Sequence, residues 1–155
     1  MDRYDFMKKA IDLANEAKTN GEIPVGCVIV KNNEIVATGR NYTQRNKCAT
    51  LHAEIVAINN ACKALGSANL SGCDLYVTLE PCPMCAGAII NAKIDKVVFG
   101  AFDLNYGACG SVLNLLTMQK THNSECYGGI MEDECSNLIA DFFADLRNKN
   151  KEKAE

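Results

Sequence analysis

The amino-acid sequence predicts an α/β fold with three layers, in which helices cover both faces of a mixed, mostly five-stranded sheet. Residues 25–40 hold two apolar, β-branched segments separated by a short polar turn, which is typical of an antiparallel hairpin. Residues 75–100 hold a strand, a helix and a strand with short connections, which is typical of a parallel crossover. Both kinds of pairing in one chain predict a mixed sheet.

The first half of the chain is expected to contain two helices and the hairpin. Apolar residues recur at helical spacing over residues 3–19, which predicts a first helix. Strands are expected over residues 25–30 and 35–40, joined by a polar turn. After a polar loop, His52 begins a second helix that ends near Gly66.

The second half of the chain continues the alternation of strands and helices. Strands are expected over residues 75–79 and 96–100, and the helix between them spans about 83–92. Ser111 is placed to cap a short helix that ends at Leu116.

A polar, exposed segment over residues 117–123 follows, in which His122 is expected on the surface. A short strand over residues 125–127 and a final helix from Glu132 complete the fold, with an apolar stripe formed by Leu138, Phe142 and Leu146. We expect one domain over residues 1–148, followed by a polar tail over residues 149–155 that frays.

One pair of motifs has the spacing of a metal site. Cys82 and Cys85 follow a proline and are three residues apart, so both thiols can lie on one face of a helix. His52 supplies a third ligand of the kind that zinc prefers, and three protein ligands leave a fourth position open for water. Glu54 lies two residues from His52, where a carboxylate can exchange a proton with that water. A redox pair or two buried thiols would also explain Cys-x-x-Cys, but neither explains His52 and Glu54.

Composition limits the function classes. The chain has 155 residues, 48% of them hydrophobic, which is enough for one domain with a core. No apolar run of eighteen residues and no apolar N-terminal core is present, and nine cysteines favour a reducing compartment, so we expect a cytoplasmic protein. The net charge of −3 gives no global attraction to nucleic acid.

His-x-Glu followed by Pro-Cys-x-x-Cys is the known signature of zinc-dependent nucleobase deaminases. The sequence resembles the cytidine-deaminase superfamily, and within it the bacterial tRNA adenosine deaminases, over nearly the whole chain. The segments that carry the resemblance are Glu22–Gly26, Gly39–Asn41, His52–Ile55, Leu75–Cys82, Met84–Ala88, Val97–Ala101, Gly107–Ser111 and Asp141–Phe143.

The resemblance implies a cytidine-deaminase-like fold, a homodimer, one zinc ion per subunit and conversion of the wobble adenosine of a tRNA anticodon to inosine. It implies zinc ligation by His52, Cys82 and Cys85, proton transfer by Glu54 and contact with the base by Asn41. An asparagine amide can both donate to and accept from a purine edge, which suits that role.

The chain departs from its relatives where Phe102 and Asn105 stand in place of basic residues around Asp103, and where Ala144-Asp145 follows the paired phenylalanines. Basic residues elsewhere could meet phosphate: Arg40, Arg45 and Lys47 before the second helix, and Arg147, Lys149, Lys151 and Lys153 at the end. Two alternatives stay open at this point. One is deamination of a small free base or nucleoside of the guanine, cytosine or cytidine type; the other is a non-catalytic zinc protein that binds RNA.

Overall fold

The computed structural model describes residues 1–118 and 122–154. Except for one short helix, it confirms the predicted order of helices and strands. The elements are α1 (Arg3–Thr19), β1 (Gly26–Lys31), β2 (Glu34–Arg40), α2 (Ala53–Leu65), β3 (Cys73–Leu79), α3 (Pro83–Ala92), β4 (Lys96–Ala101), β5 (Glu125–Tyr127) and α4 (Glu132–Ala154).

The five strands form one mixed sheet in the order β2-β1-β3-β4-β5. β1 pairs antiparallel with β2 and β3, whereas β3, β4 and β5 are parallel to one another. In the β1–β2 hairpin, Asn32 and Asn33 have φ angles of 51° and 63°. This left-handed pair of residues is what a tight two-residue hairpin turn requires, and asparagine tolerates it better than most residues.

The two faces of the sheet are covered by different helices, which confirms the three layers. Successive side chains of a strand point to opposite faces. Accordingly, Cys27 and Ile29 of β1 pack in the core beneath α2 and α3, while Val28 and Val30 pack in the core beneath α1 and α4.

Glycine at position 39 lets α2 lie close to β2. A Cβ atom at Gly39 would lie 2.4 Å from the backbone oxygen of Ala53 and 2.5 Å from the backbone nitrogen of Ala57. Only a residue without a side chain allows this approach. The first turn of α2, where His52 and Glu54 lie, is thereby held against the end of β2.

Two expectations for the second half need correction. The short helix after Ser111 does not form, because the backbone N–H and hydroxyl of Ser111 both donate to the buried carboxylate of Glu80. His122 is half-buried rather than on the surface, and its Nε2 lies 2.9 Å from the backbone oxygen of Ile94. Residues 119–121 of the expected exposed segment lie outside the described residues.

The final helix is longer and less buried than expected. α4 continues through Ala154, so the fraying expected from residue 148 is not seen, although the side chains of residues 146–154 are exposed. Of the expected apolar stripe, Leu138 and Phe142 are half-buried and Leu146 is 42% exposed. A domain boundary at residue 148 remains a prediction. Within the part of the chain that the structure describes, no helix is long and apolar enough to cross a membrane.

Candidate active site

The candidate metal ligands lie at the N-termini of two neighbouring helices, as predicted. His52 is the N-cap residue of α2 and Cys82 is the N-cap residue of α3, where Pro83 occupies the first helical position. Neither side chain caps its own helix. Cys85 lies in the first turn of α3, so both thiols face the same side as the imidazole. The positive end of each helix dipole favours thiolate there.

The spacing of the three ligand atoms fits a zinc ion. Nδ1 of His52 lies 3.6 Å from Sγ of Cys82 and 3.6 Å from Sγ of Cys85, and the ligand atoms all lie within 4.8 Å of one another. For zinc–sulfur and zinc–nitrogen bonds of about 2.3 and 2.1 Å at a tetrahedral angle, the expected nitrogen–sulfur separation is about 3.6 Å. The nitrogen–sulfur distances therefore agree with tetrahedral zinc.

The two thiols differ in acidity because they hydrogen-bond to each other. The hydrogen bond from the Cys85 thiol, assisted by His52, lowers the pKa of Cys82 to about 4. The pKa of Cys85 is raised by the same hydrogen bond and by burial. Two adjacent thiolates repel each other unless a positive charge lies between them, and a coordinating metal deprotonates such thiols.

Glu54 is a buried carboxylate beside this cluster. It lies in the first turn of α2 and is 4% exposed. Burial is the main reason why the pKa of Glu54 is raised to about 7, from an ordinary value of 4.5. A carboxylate that gains and loses its proton near neutral pH is suited to general acid and base catalysis.

The cluster lies in a cavity of about 740 Å³, which His52, Glu54, Cys82 and Asn41 all line. Asn41 is 7% exposed; its Oδ1 accepts from the backbone N–H of Ala53 (2.9 Å) and its Nδ2 donates to the backbone oxygen of Ile23 (3.0 Å). These bonds hold the amide still while leaving it one N–H and one lone pair. The side chain can therefore contact a ligand edge in the cavity.

Sequence reasoning missed two buried carboxylates, Glu22 and Glu80, that hold loops adjoining the elements of the site. Glu22 is 1% exposed and accepts hydrogen bonds from Thr43 Oγ1 and from the backbone N–H groups of Gln44 and Arg45. Burial would raise the pKa of Glu22, but these hydrogen bonds outweigh it and lower the pKa. Glu22 thereby fixes the loop that joins β2 to α2.

Glu80 does the same for the loop after β4. It is 2% exposed, and its carboxylate accepts from the backbone N–H groups of Asp103, Cys109 and Ser111 and from the Ser111 hydroxyl. The sequence carried one signal of this role: Glu80 directly follows an apolar strand. A carboxylate buried there needs hydrogen-bond donors from a neighbouring segment.

The basic residues expected before the second helix do not line the cavity. Arg40 binds Glu16 through its backbone oxygen (3.1 Å) and carboxylate (3.8 Å), and its guanidinium stacks on Tyr42 at 4.6 Å. Arg45 and Lys47 are exposed on the loop. Among the residues described by the structure, no lysine or arginine lines the cavity.

A catalytic zinc enzyme combines three soft or borderline ligands, a carboxylate that is not a ligand and a cavity for a substrate. Fold and site together therefore define a zinc-dependent hydrolase.

Comparison with known proteins gives the family. The model for the cytidine and deoxycytidylate deaminase zinc-binding region matches residues 1–101. The tRNA-specific adenosine deaminase of Bacillus subtilis (strain 168) is 46% identical over 147 residues, which are 94% of this chain and 91% of that protein. The chain belongs to the cytidine and deoxycytidylate deaminase family, and within it to the tRNA-specific adenosine deaminases.

Two solved structures are also similar. One, described in biochemical and structural studies of A-to-I editing by tRNA:A34 deaminases at the wobble position of transfer RNA, is 39% identical with a TM-score of 0.84, and the match covers 88% of this chain and 99% of that chain. The other, a guanine deaminase from Bacillus subtilis, is 34% identical with a TM-score of 0.63, over 78% of this chain and 88% of that chain.

Proposed function

We propose that this protein deaminates the wobble adenosine of a tRNA anticodon hydrolytically, giving inosine and ammonia. The buried Glu54 beside the His52, Cys82 and Cys85 cluster carries the reaction type, because a carboxylate with a raised pKa suits transfer of a proton from water to a leaving amine. The similarity over 94% of the chain to a tRNA-specific adenosine deaminase supports the substrate.

In this mechanism His52, Cys82 and Cys85 hold one zinc ion per subunit. Bound zinc lowers the pKa of water to about 7 and so supplies hydroxide near neutral pH. Glu54 accepts a proton from the attacking water and passes it to the amino group of the adenine, which then leaves as ammonia. Asn41 orients the purine through its free N–H and lone pair.

The wobble base of an anticodon stem-loop must turn out of the loop to enter the cavity. The target nucleotide lies in a single-stranded loop, where the free-energy cost of unstacking is lower than in a duplex. The partner that we propose is therefore a tRNA anticodon stem-loop. We further propose a cytoplasmic location, since the ligand thiols must stay reduced.

We propose that the protein acts as a homodimer. Apolar side chains are exposed at the start of α3 (Met84, 37%) and in the loop after β4 (Val112, 53%; Leu113, 38%). Gly87 of α3 has no atom within 4 Å of where a Cβ would lie, so the helix surface there is open for close packing. Sedimentation velocity on the zinc-loaded protein tests this, with a monomer at micromolar concentration as the contrary result.

One observation favours a second candidate, deamination of a small free base such as guanine. No cation lines the described cavity, as expected for a neutral substrate, and a guanine deaminase is among the similar structures. The test measures inosine in an anticodon stem-loop with adenosine at the wobble position, in parallel with free adenosine, cytidine and guanine. Inosine in the RNA alone supports the tRNA substrate, whereas turnover of guanine with inert RNA supports the second candidate.

The matched control for that test is Glu54→Gln. The amide keeps the size of the side chain but cannot exchange the proton, so we expect zinc content near one per chain with activity lowered by at least about 100-fold. Equal activity of the variant and the wild type would contradict the role of Glu54.

A further inference from the structure

The mouth of the cavity is aromatic and apolar rather than basic. Three side chains of the segment after β4 line the cavity while remaining largely exposed: Phe102 (45%), Leu104 (80%) and Tyr106 (69%). Phe143 of α4 lines it as well and is 38% exposed. Large apolar side chains that stay exposed around a site are typical of a surface that binds a partner.

The loop that carries Tyr106 is held in place. Oδ1 of Asp103 accepts from the backbone N–H groups of Asn105 and Tyr106, each at 3.0 Å. Glu80 accepts from the backbone N–H of Asp103 (3.1 Å), and the ring of Phe102 packs edge-on against Phe99 with centroids 5.1 Å apart. The backbone thus presents Tyr106 at the mouth, so little order has to be gained when a ligand binds.

The lining of the cavity offers little to bind phosphate. Its carboxylates are Glu54, Glu80 and Asp103, of which the first two are buried, and no lysine or arginine lines the described cavity. Arg40 is committed to Glu16 and Tyr42. A single-stranded nucleic acid offers one other surface to a protein, the faces of its bases, and an aromatic ring can stack on any base.

We propose that Tyr106 is a stacking platform for the nucleobase next to the adenosine that enters the cavity. This inference rests on the proposed function. The proposed ligand at the mouth of the cavity is a base of a single-stranded RNA. Stacking of this base explains how an RNA could be held at a cavity that no lysine or arginine of the described residues lines. Tyr106 is a positioning residue, since it does not touch the reacting atoms.

The experiment uses the zinc-loaded protein and an anticodon stem-loop with 2-aminopurine at either position beside the wobble adenosine. Stacking on an aromatic ring quenches the fluorescence of 2-aminopurine, so binding is read separately from inosine formation. The variants are Tyr106→Ala and Tyr106→Phe. Tyr4→Ala removes an exposed tyrosine from α1, away from the cavity, and Leu104→Ala removes apolar surface without a ring.

We expect Tyr106→Ala to weaken binding by about 5- to 100-fold, the usual range for the loss of one base–aromatic stack, and to abolish quenching at one flanking position. Tyr106→Phe and Tyr4→Ala should bind like the wild type, and Leu104→Ala should weaken binding by less than about 5-fold. On a stem-loop that is abasic at that flanking position, Tyr106→Ala and the wild type should bind equally.

Three results would overturn the inference: normal quenching by Tyr106→Ala, an equal loss on the abasic stem-loop, or a change of oligomeric state that makes Tyr106 a contact between copies. The proposed function fails separately. If quenching depends on Tyr106 but no inosine forms, the stacking role is supported and the proposed deamination of adenosine is refuted. Quenching and inosine formation that are both unchanged in Tyr106→Ala would uphold the reaction and remove stacking. RNA that is neither bound nor deaminated would remove both.

Discussion

Replacing Glu80 by glutamine tests whether a buried carboxylate holds the mouth of the cavity. Oε1 accepts from the backbone N–H of Asp103 (3.1 Å) and the hydroxyl of Ser111, and Oε2 accepts from the backbone N–H groups of Cys109 (3.1 Å) and Ser111 (3.1 Å). A glutamine amide must point its NH₂ group at one of these pairs. The better orientation faces Asp103 and the hydroxyl of Ser111, because a hydroxyl can also accept.

Even in that orientation the partly buried N–H of Asp103 loses its acceptor. A hydrogen bond to a charged group contributes about 1.5–3 kcal/mol, and an unsatisfied buried donor costs a further 1–3 kcal/mol, so we expect a local loss of about 3–5 kcal/mol. Because whole domains have about 5–15 kcal/mol of stability, the fold should survive while the loop that contains residues 102–111 opens.

Hydrogen exchange with mass spectrometry measures this opening. We expect the amides of Asp103 and Cys109 to exchange at least about 100-fold faster in Glu80→Gln, since 1.4 kcal/mol corresponds to a factor of ten. Exchange in β1 and β3 and the zinc content should stay unchanged, and kcat/KM should fall because the loop carries Tyr106. Glu125→Gln, a change to an exposed carboxylate, is the control.

Two results would refute the reasoning. Unchanged exchange at Asp103 and Cys109 would show that the carboxylate does not hold the loop. Faster exchange across the whole sheet would show that Glu80 stabilises the fold globally instead.

Three further predictions concern stability and metal binding. Glu22→Gln should lower the free energy of unfolding by about 2–4 kcal/mol at pH 7. Because the folded-state pKa of Glu22 lies below its usual 4.5, this difference in stability between variant and wild type should shrink as the pH falls below 4.5. A difference that stays constant between about pH 7 and pH 3.5 would contradict the prediction. Gly39→Ala should cost about 1–3 kcal/mol in chemical denaturation, since its Cβ would meet the backbone of α2; an unchanged free energy of unfolding would refute the close approach. Cys85→Ser should reduce bound zinc well below one per chain by elemental analysis, and the control Cys62→Ser should keep it; retained zinc in Cys85→Ser would remove this thiol from the ligand set.

Local patterns were enough to predict most of the fold and the convergence of the site. The stripe over residues 3–19 matches α1, and the signature residues His52 and Cys82 each fall at the N-terminus of a helix. Such features depend on neighbours in sequence, so periodicity and spacing report them directly.

What could not be predicted depends on partners that are distant in sequence. Glu80 reaches Ser111, thirty-one residues away, and this bond replaces the short helix that Ser111 was expected to cap. Arg40 is drawn from the site by Glu16, twenty-four residues earlier. Hydrogen bonds of this kind leave no period in the sequence, because only the packing of the sheet brings the groups together.

The most direct test of the central claim is sequencing of a complete bacterial tRNA pool after incubation with the zinc-loaded protein. Inosine is read as guanosine, so the proposed function predicts adenosine-to-guanosine changes confined to the first anticodon position, and none with Glu54→Gln. A pool without changes, from protein that releases ammonia from free guanine, would contradict it.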